Sequence, residues 1–397
     1  MEKKKPEIRF NGFEGEWETT TLGECFLERV ERSAEGELIS VTISHGVVRA
    51  SDLDRIDNSS NDKSNYKVVE VGDIAYNSMR MWQGACGYSL YKGICSPAYT
   101  VVIPQNNIDV VYCFYLFKRN ETLQLFRVNS QGLTSDTWNL KYPAFSQIKC
   151  SFPSLSEQEK IGVFLTTLDK LIAKLEAKLD KLRKLKQALL EKMFVNVNGG
   201  GKTPEIRFKG YTDKWEVKEL REVATKHSIS NQHVHHQNLL SLSYGKIKRK
   251  DINSDKGLLP ASFDTYQMVK EGVVVMRFTD LQNDKKSLRV GLAKEEGIIS
   301  PAYVCIYGKE SINADFLYQE LHYYDSILKL FYSMGDGMRQ TLSYTDITTM
   351  PISTPQMEEQ KKIVDLYNTF DRKITQTSTK LTKLRNIKQS LLQKMFA

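Results

Sequence analysis

The chain reads as an α+β protein made of one unit twice over: two mixed α/β domains, separated by two long helices that can pair antiparallel as a coiled coil. Three observations predict this pseudo-two-fold tandem duplication. First, "PEIRF" occurs at Pro6–Phe10 and again at Pro204–Phe208, opening "PEIRFNGFEGEWETTTLGE" and "PEIRFKGYTDKWEVKELRE". Second, later segments recur in the same order: "GICSPAY" (Gly93–Tyr99) as "GIISPAY" (Gly297–Tyr303), "QEKI" (Gln158–Ile161) as "QKKI" (Gln360–Ile363), and "LLEKMF" (Leu189–Phe194) as "LLQKMF" (Leu391–Phe396). The repeat length is about half the chain, which is a duplicated domain and not a solenoid. Third, each copy ends in a stretch whose apolar residues alternate steps of four and three, the mark of a coiled-coil seam.

The elements follow in chain order. Residues 1–155 and 204–353 are the two mixed domains. Short β-like runs such as "YTVVI" (Tyr99–Ile103) and "GVVVMRF" (Gly272–Phe278) lie between Gly, Asn and Asp clusters, and "CFYLFKRNETLQLF" reads as helical. The tryptophans of the opening motifs, Trp17 and Trp215, are expected in the cores. Residues 156–194 form the first long helix, with Ile161, Leu165, Leu168, Ile172, Leu175, Leu179 and Leu182 at the seam. Ser156 with Glu159 suggests a capping box at its start, and "NVNGGGK" stops it. Residues 195–203 are a linker. The second helix, 354–397, places Ile363, Tyr367, Phe370, Ile374, Thr377, Leu381 and Leu384 at the same positions, with Thr354 and Pro355 expected as N-cap and first-turn proline. A helix of this length extends about 58 Å at roughly 1.5 Å per residue.

The net charge is +8 over 397 residues, but its placement matters more. Residues 1–155 carry 17 basic and 19 acidic side chains and residues 195–353 carry 21 and 19, so both blocks are near balance. The excess lies in 156–194, with 9 against 6, and 354–397, with 9 against 4. An anionic partner would therefore meet local patches on the domains and a general attraction from the helices. No stretch has the roughly 18 uncharged apolar residues of a membrane span, which makes a cytoplasmic location the expectation. The cysteines, Cys25, Cys86, Cys95, Cys113, Cys150 and Cys305, have no CxxC pair and read as buried free thiols.

Catalytic patterns are missing. "GGGKT" (Gly199–Thr203) follows a helix, and Asn196 stands where a phosphate-binding loop needs glycine, so it reads as a linker. "HVHH" (His233, His235, His236) has no accompanying cysteine or carboxylate at metal-site spacing. No GxSxG, HExxH or dinucleotide fingerprint occurs, nor the Asn/Asp-Pro-Pro-aromatic motif of amino-methyltransferases. What remains is recognition. Arg, Lys, Asn and Gln reach base edges, and Ser and Thr hold phosphates. The candidates for DNA contact are Arg80 and Gln83 in "NSMRMWQG", Ser135, Thr137, Asn139 and Lys141 in "SQGLTSDTWNLKY", and Lys246, Lys248 and Arg249 in "SYGKIKRK". Arg277, Lys285 and Arg289 in "MRFTDLQNDKKSLR", and Arg339 and Gln340 in "GDGMRQTLSY", complete the set.

The order of variable domain, long helix, variable domain, long helix resembles the specificity subunit of type I restriction–modification systems. "FPSLSEQEKIGVFLTTLD" (Phe152–Asp169) and "STPQMEEQKKIVDLYNTFD" (Ser353–Asp371) resemble that family's proline-then-EQxxI helix start, and "VGDIAYNSMR" (Val71–Arg80) and the paired "SPAY" add to the likeness. The second copy departs from it, reading "EGVVVMRF" where the first has "VGDIAYNS". The resemblance implies two target recognition domains, each reading one half of a split double-stranded DNA target. It also implies helices that act as spacers and dock two modification (methyltransferase) subunits, with Ile161, Leu168, Leu175, Leu182, Ile363, Phe370, Leu381 and Leu384 as the docking positions. Restriction (translocase and nuclease) subunits would join them. S-adenosylmethionine, ATP and magnesium would be bound by those partners, with no cofactor or metal on this chain and no catalysis by it. A coiled-coil scaffold protein that never meets DNA is the competing reading.

Overall fold

The computed structural model describes residues 5–54, 59–195, 202–232, 234–243, 245–252, 260, 262–278, 289–323 and 342–397. The chain divides into two compact units: Met1–Ala177 with Ser378–Ala397, and Lys178–Thr377. Each unit therefore takes in part of both long helices.

In the first unit, two four-stranded sheets carry the domain. One runs in the order Phe26–Glu28, Tyr99–Pro104, Ile74–Asn77, Cys86–Tyr88, all antiparallel. The other runs Gly46–Arg49, Leu38–Thr42, Gly93–Cys95, Lys67–Val69, with Leu38–Thr42 and Gly93–Cys95 parallel. A short ladder between Glu18–Thr21 and Lys149–Phe152 joins the beginning of the domain to its end. The predicted single helical stretch is two helices, Val110–Leu116 and Asn120–Val128. The Asp109 carboxylate caps the first by accepting the Tyr112 N–H at 2.6 Å. Trp17, Phe26, Tyr76, Tyr112, Phe117, Phe126 and Phe145 are buried in one core.

The second unit repeats the antiparallel sheet and the ladder, while its other described strands form a three-stranded sheet, Ile229–Ser230, Gln267–Val269 and Gly297–Ile299, and a separate hairpin, Leu240–Ser243 with Lys246–Arg249. Ala224–Lys226, Tyr303–Gly308, Val273–Arg277 and Val290–Leu292 make the four-stranded antiparallel sheet, and Glu216–Glu219 pairs with Pro351–Thr354 as the closing ladder. The strands Tyr99–Pro104 and Val273–Arg277 cover "YTVVI" and most of "GVVVMRF". Trp215 sits in this unit's core at 2% exposure, as Trp17 does in the first.

The long helices are Leu155–Met193 and Met357–Lys394. Every seam residue named from the sequence is buried or half-buried, Thr377 included. Within the first unit, Lys388 pairs with Asp169 and Arg385 with Glu176, so one helix advances as the other retreats. The second unit shows the same sense, with Lys186 on Asp371 at 2.7 Å and Phe194 against Tyr367 at 6.0 Å. Two cap expectations fail. The first helix starts at Leu155, so Ser156 lies inside it; the carbonyl of Ser154 accepts the Glu157 and Gln158 N–H groups instead. Thr354 ends a strand and its hydroxyl donates to the Glu216 carbonyl at 3.0 Å, leaving Pro355 ahead of a helix that begins at Met357.

The repeated motifs meet in these units. The Ile8 N–H donates to the Lys394 carbonyl and the Ile206 N–H to the Lys192 carbonyl, both at 2.9 Å, so each "PEIRF" caps the end of a long helix. Each "LLxKMF" closes a core: Met395 and Phe396 in the first unit, Leu190, Met193 and Phe194 in the second. The glutamine of each "EQ" pair does the same work twice. Gln158 donates to the Asn107 and Pro153 carbonyls and accepts the Asp109 N–H; Gln360 does so with Ser311, Pro355 and Asn313. Buried polar groups need such partners, and one side chain here satisfies three. All six cysteines are buried and free. Among the described residues no helix is long and apolar enough to cross a membrane.

Candidate nucleic-acid interface

Two loops of the first unit bring most of its sequence-predicted contact residues together. The first leaves strand Ile74–Asn77 and passes through a 3-10 turn, Met81–Gln83. Met81 is fully buried and pins the turn, while Gly84, at φ 83°, ends it with its N–H on the Met81 carbonyl at 2.8 Å. A left-handed residue is needed there, which suits glycine. Arg80 and Gln83 are half-buried on this loop. The second loop follows helix Asn120–Val128. Gln131 and Asn139 close it by exchanging two N–H···O bonds of 3.0 and 2.8 Å. Inside, Thr137 donates its N–H and its hydroxyl to the Thr134 carbonyl, each at 2.9 Å.

The loops are tied to each other. The Leu140 N–H donates to the Ser78 carbonyl at 2.8 Å, and Trp82 meets Trp138 edge to face at 5.2 Å. The Arg127 guanidinium lies over the Trp138 ring at 5.1 Å. An aromatic pair with a stacked guanidinium is a stiff, partly apolar surface of the kind that bases pack against. Ser135, Thr137 and Lys141 are exposed around it, whereas Asn139 is half-buried and its Oδ1 turns inward. Asn139 therefore serves the neck of the loop. The sequence alone does not mark Trp82, Trp138 and Arg127 as contact residues, although both tryptophans lie in the polar runs "NSMRMWQG" and "SQGLTSDTWNLKY".

In the second unit, the hairpin Leu240–Ser243/Lys246–Arg249 sets Lys246 and Lys248 outward with Ile247 packed on the core between them. Strand alternation produces this. Arg249 is engaged: its Nε lies 2.8 Å from Glu295, which also accepts from Asn238. That hydrogen bonding raises the Arg249 pKa and lowers that of Glu295. Arg277 is half-buried at the end of its strand, with its N–H on the Arg289 carbonyl at 2.9 Å. Arg289 is 3% exposed and so is withdrawn from the surface on which it was expected. Lys285, Arg339 and Gln340 lie outside the described residues, as do His233 of "HVHH" and Gly199–Gly201 of "GGGKT".

The eight positions that the family resemblance suggests for docking lie along the helix seam. Ile161, Leu175, Ile363 and Leu381 are 9% exposed or less, and Leu168, Leu182, Phe370 and Leu384 are half-buried along the same seam. Ile161 and Ile363 belong to the cores of the first and second units, and Leu168 packs against the first. The outward faces carry Val163, Leu171, Leu185 and Ile387 in exposed positions.

Comparison with known proteins gives a consistent likeness. The family model described as "Type I restriction modification DNA specificity domain" matches residues 14–184 and again 212–386. Two specificity subunits of Methanocaldococcus jannaschii are similar to the chain. The type I restriction enzyme MjaVIII specificity subunit is 24% identical over 334 residues, 77% of this chain and 74% of that protein. The MjaIX specificity subunit is 23% identical over 312 residues, 74% and 70%. Among solved structures, the type I restriction-modification S subunit from M. genitalium covers 99% of both chains at 15% identity, with a TM-score of 0.59.

Proposed function

Since the chain belongs to the type I restriction–modification DNA specificity family, with two copies of its domain, we propose that it is a bipartite reader of double-stranded DNA in which each unit reads one half of the target. The carrying observation is the doubling itself: a four-stranded antiparallel sheet, a closing two-strand ladder, a buried glutamine at the helix start and the same closing motif occur in both units, and the family model matches each copy separately. The chain is the specificity subunit of such a system.

In the first unit the loops of Arg80 and Ser135–Lys141, braced by Trp82 and Trp138, meet base edges. In the second, Lys246 and Lys248 approach the backbone. The long helices set the spacing between half-sites, as dimer geometry sets it in symmetric DNA binders. Their outward faces dock two modification subunits, and restriction subunits complete the assembly. S-adenosylmethionine, ATP and magnesium belong to those partners; this chain recognises and does not catalyse, and it works in the cytoplasm.

The test is a block exchange. Residues 25–150 are replaced by the matching block of another such subunit, and the selected sequence is read from a randomised duplex library in the presence of the modification subunits. Only one half of the target should change. Selection of no sequence by either protein, or a change in both halves, would overturn the two-reader reading.

A further inference from the structure

Leu133 is the most exposed large apolar side chain among the described residues, at 101%, ahead of Val30 at 73%. Scattered exposed leucines are ordinary. This one is set apart by its setting. It sits in a loop whose path is fixed by the paired Gln131–Asn139 bonds, by the Thr134–Thr137 turn and by Gly132, where a Cβ would meet the Thr137 carbonyl at 2.6 Å. Gly132 has φ 142°, so the backbone there also favours glycine. The loop is thus a narrow ribbon, held closed at its neck, that displays one leucine and gains nothing for the fold by doing so.

Its charge says what it faces. Residues 129–140 contain Asp136 and no lysine or arginine. Phosphates would repel such a loop, whereas base edges offer it donors as well as acceptors. The basic side chains stand to either side, at Arg80, Arg127 and Lys141. The major groove, about 12 Å wide, admits a two-stranded ribbon as it stands, whereas the minor groove, at about 6 Å, must first be widened. Within the major groove the one apolar feature of a base edge is the thymine C5-methyl group.

From this juxtaposition we infer that Leu133 is a specificity-determining residue of the first unit, which selects a thymine by packing against its methyl group in the major groove. The inference rests on the reading of this unit as a DNA reader. Asp136, Ser135 and Thr137, exposed on the same loop, are placed to accept or donate to neighbouring bases.

The experiment uses the full chain with its modification subunits and the duplex that the library selects. Each thymine of the half read by the first unit is replaced, one at a time, by deoxyuridine, which removes only the methyl. The wild-type protein should lose about fourfold in affinity at one position, the worth of one buried methyl-sized group. Leu133→Ala should bind the thymine and deoxyuridine duplexes alike at that position, and Leu133→Met should restore the preference. Thermal melting of the variants should be unchanged, because the side chain touches nothing that holds the fold. Deoxyuridine that is neutral at every position, or a preference that persists in Leu133→Ala, overturns the inference alone. An equal loss by Leu133→Ala on all duplexes overturns it in favour of a wedge between base steps. If the library selects no sequence in this half, the reading of the unit as a reader fails, and the inference with it.

Discussion

The Arg9 guanidinium grips the Glu157 carboxylate fork to fork, Nε to Oε1 at 2.8 Å and Nη2 to Oε2 at 2.7 Å, and Arg207 repeats the grip on Glu359 at 2.7 Å for both bonds. Each arginine also donates from Nη1 to a loop carbonyl, Gly15 in one unit and Asp213 in the other. Glu157 and Glu359 are 1% and 0% exposed, so these are buried carboxylates matched by bidentate partners. The hydrogen bond to Glu157 raises the Arg9 pKa, and that to Glu359 does the same for Arg207. This is why the chain begins twice: "PEIRF" clamps the start of one long helix with its arginine and the end of a long helix with its isoleucine amide.

Removing one partner should cost far more than removing both. Arg9→Ala leaves Glu157 buried and uncompensated, which costs roughly 3–5 kcal/mol, while Arg9→Met with Glu157→Met should recover most of it. Chemical denaturation of the three proteins checks this. Equal losses in the single and double variants would mean that the pair is worth no more than its contacts.

The closing motifs predict an effect in an unexpected place. Phe396 follows the second domain in sequence but stacks on Tyr112 of the first at 5.1 Å, and Arg119 lies over its ring. Phe396→Ala should destabilise the first unit by about 3–5 kcal/mol. Hydrogen exchange should quicken in Tyr99–Pro104 and leave Tyr303–Gly308 unaffected. Phe194→Ala, which empties a place beside Trp215 and Phe316, should do the reverse.

The duplication, the seams and the buried thiols were legible in the sequence because each is a matter of periodicity, recurrence or composition. Leu165 and Leu179 are buried because a four-three pattern leaves them no other face to turn to. What the sequence hid was anything decided by a partner distant along the chain. Arg289 looked like a surface base in a polar run, yet it is buried beside the end of a strand that single-sequence patterning did not pair with it. Arg249 looked free until Glu295, far along the chain, came to meet it. The helix starts differ from the expectation for a similar reason: Thr354 has the chemistry of a cap, but the ladder to Glu216–Glu219 claims it for a strand first. Trp138 does not stand out in the sequence as a contact residue because its meaning lies in Trp82, on another loop.

The six thiols should be silent in the native protein. Burial pushes Cys25, Cys86, Cys95 and Cys305 up to about 12, and Cys113 is raised as well. The thiolate is the reactive form, so alkylation at pH 8 should be negligible until denaturant is added. Mass spectrometry before and after unfolding gives the count, and rapid native labelling of Cys25 or Cys113 would contradict the packing described.

The seam makes a sharp local contrast. Leu175 is 9% exposed and Lys174 beside it is exposed. Leu175→Asp should cost several kcal/mol by burying a carboxylate against apolar side chains, whereas Lys174→Asp should cost roughly 0–1. Equal shifts in thermal melting would argue against a buried seam at this position.

The basic residues divide by what already holds them, and binding across a salt series separates the classes. Lys388 pairs with Asp169 and sits over the Tyr115 ring at 5.3 Å, so Lys388→Ala should lower stability and alter DNA binding only through that loss. Lys181 and Lys383 are exposed on the helices, where loss of a phosphate contact would weaken all duplexes alike and lower the salt slope by about one. Arg80 has no ion pair among the described residues and lies on the loop that Trp82 braces. Arg80→Ala should cost about 1–3 kcal/mol on the selected target and relax choice at a single base pair, leaving binding to unrelated duplexes nearly unchanged. The decisive comparison is each variant against the true target, its single-base variants and a random duplex, from low to physiological salt. Should Arg80→Ala weaken every duplex equally while Lys181→Ala or Lys383→Ala changes base preference, readout would belong to the helices and the two loops of the first unit would be mere backbone contacts.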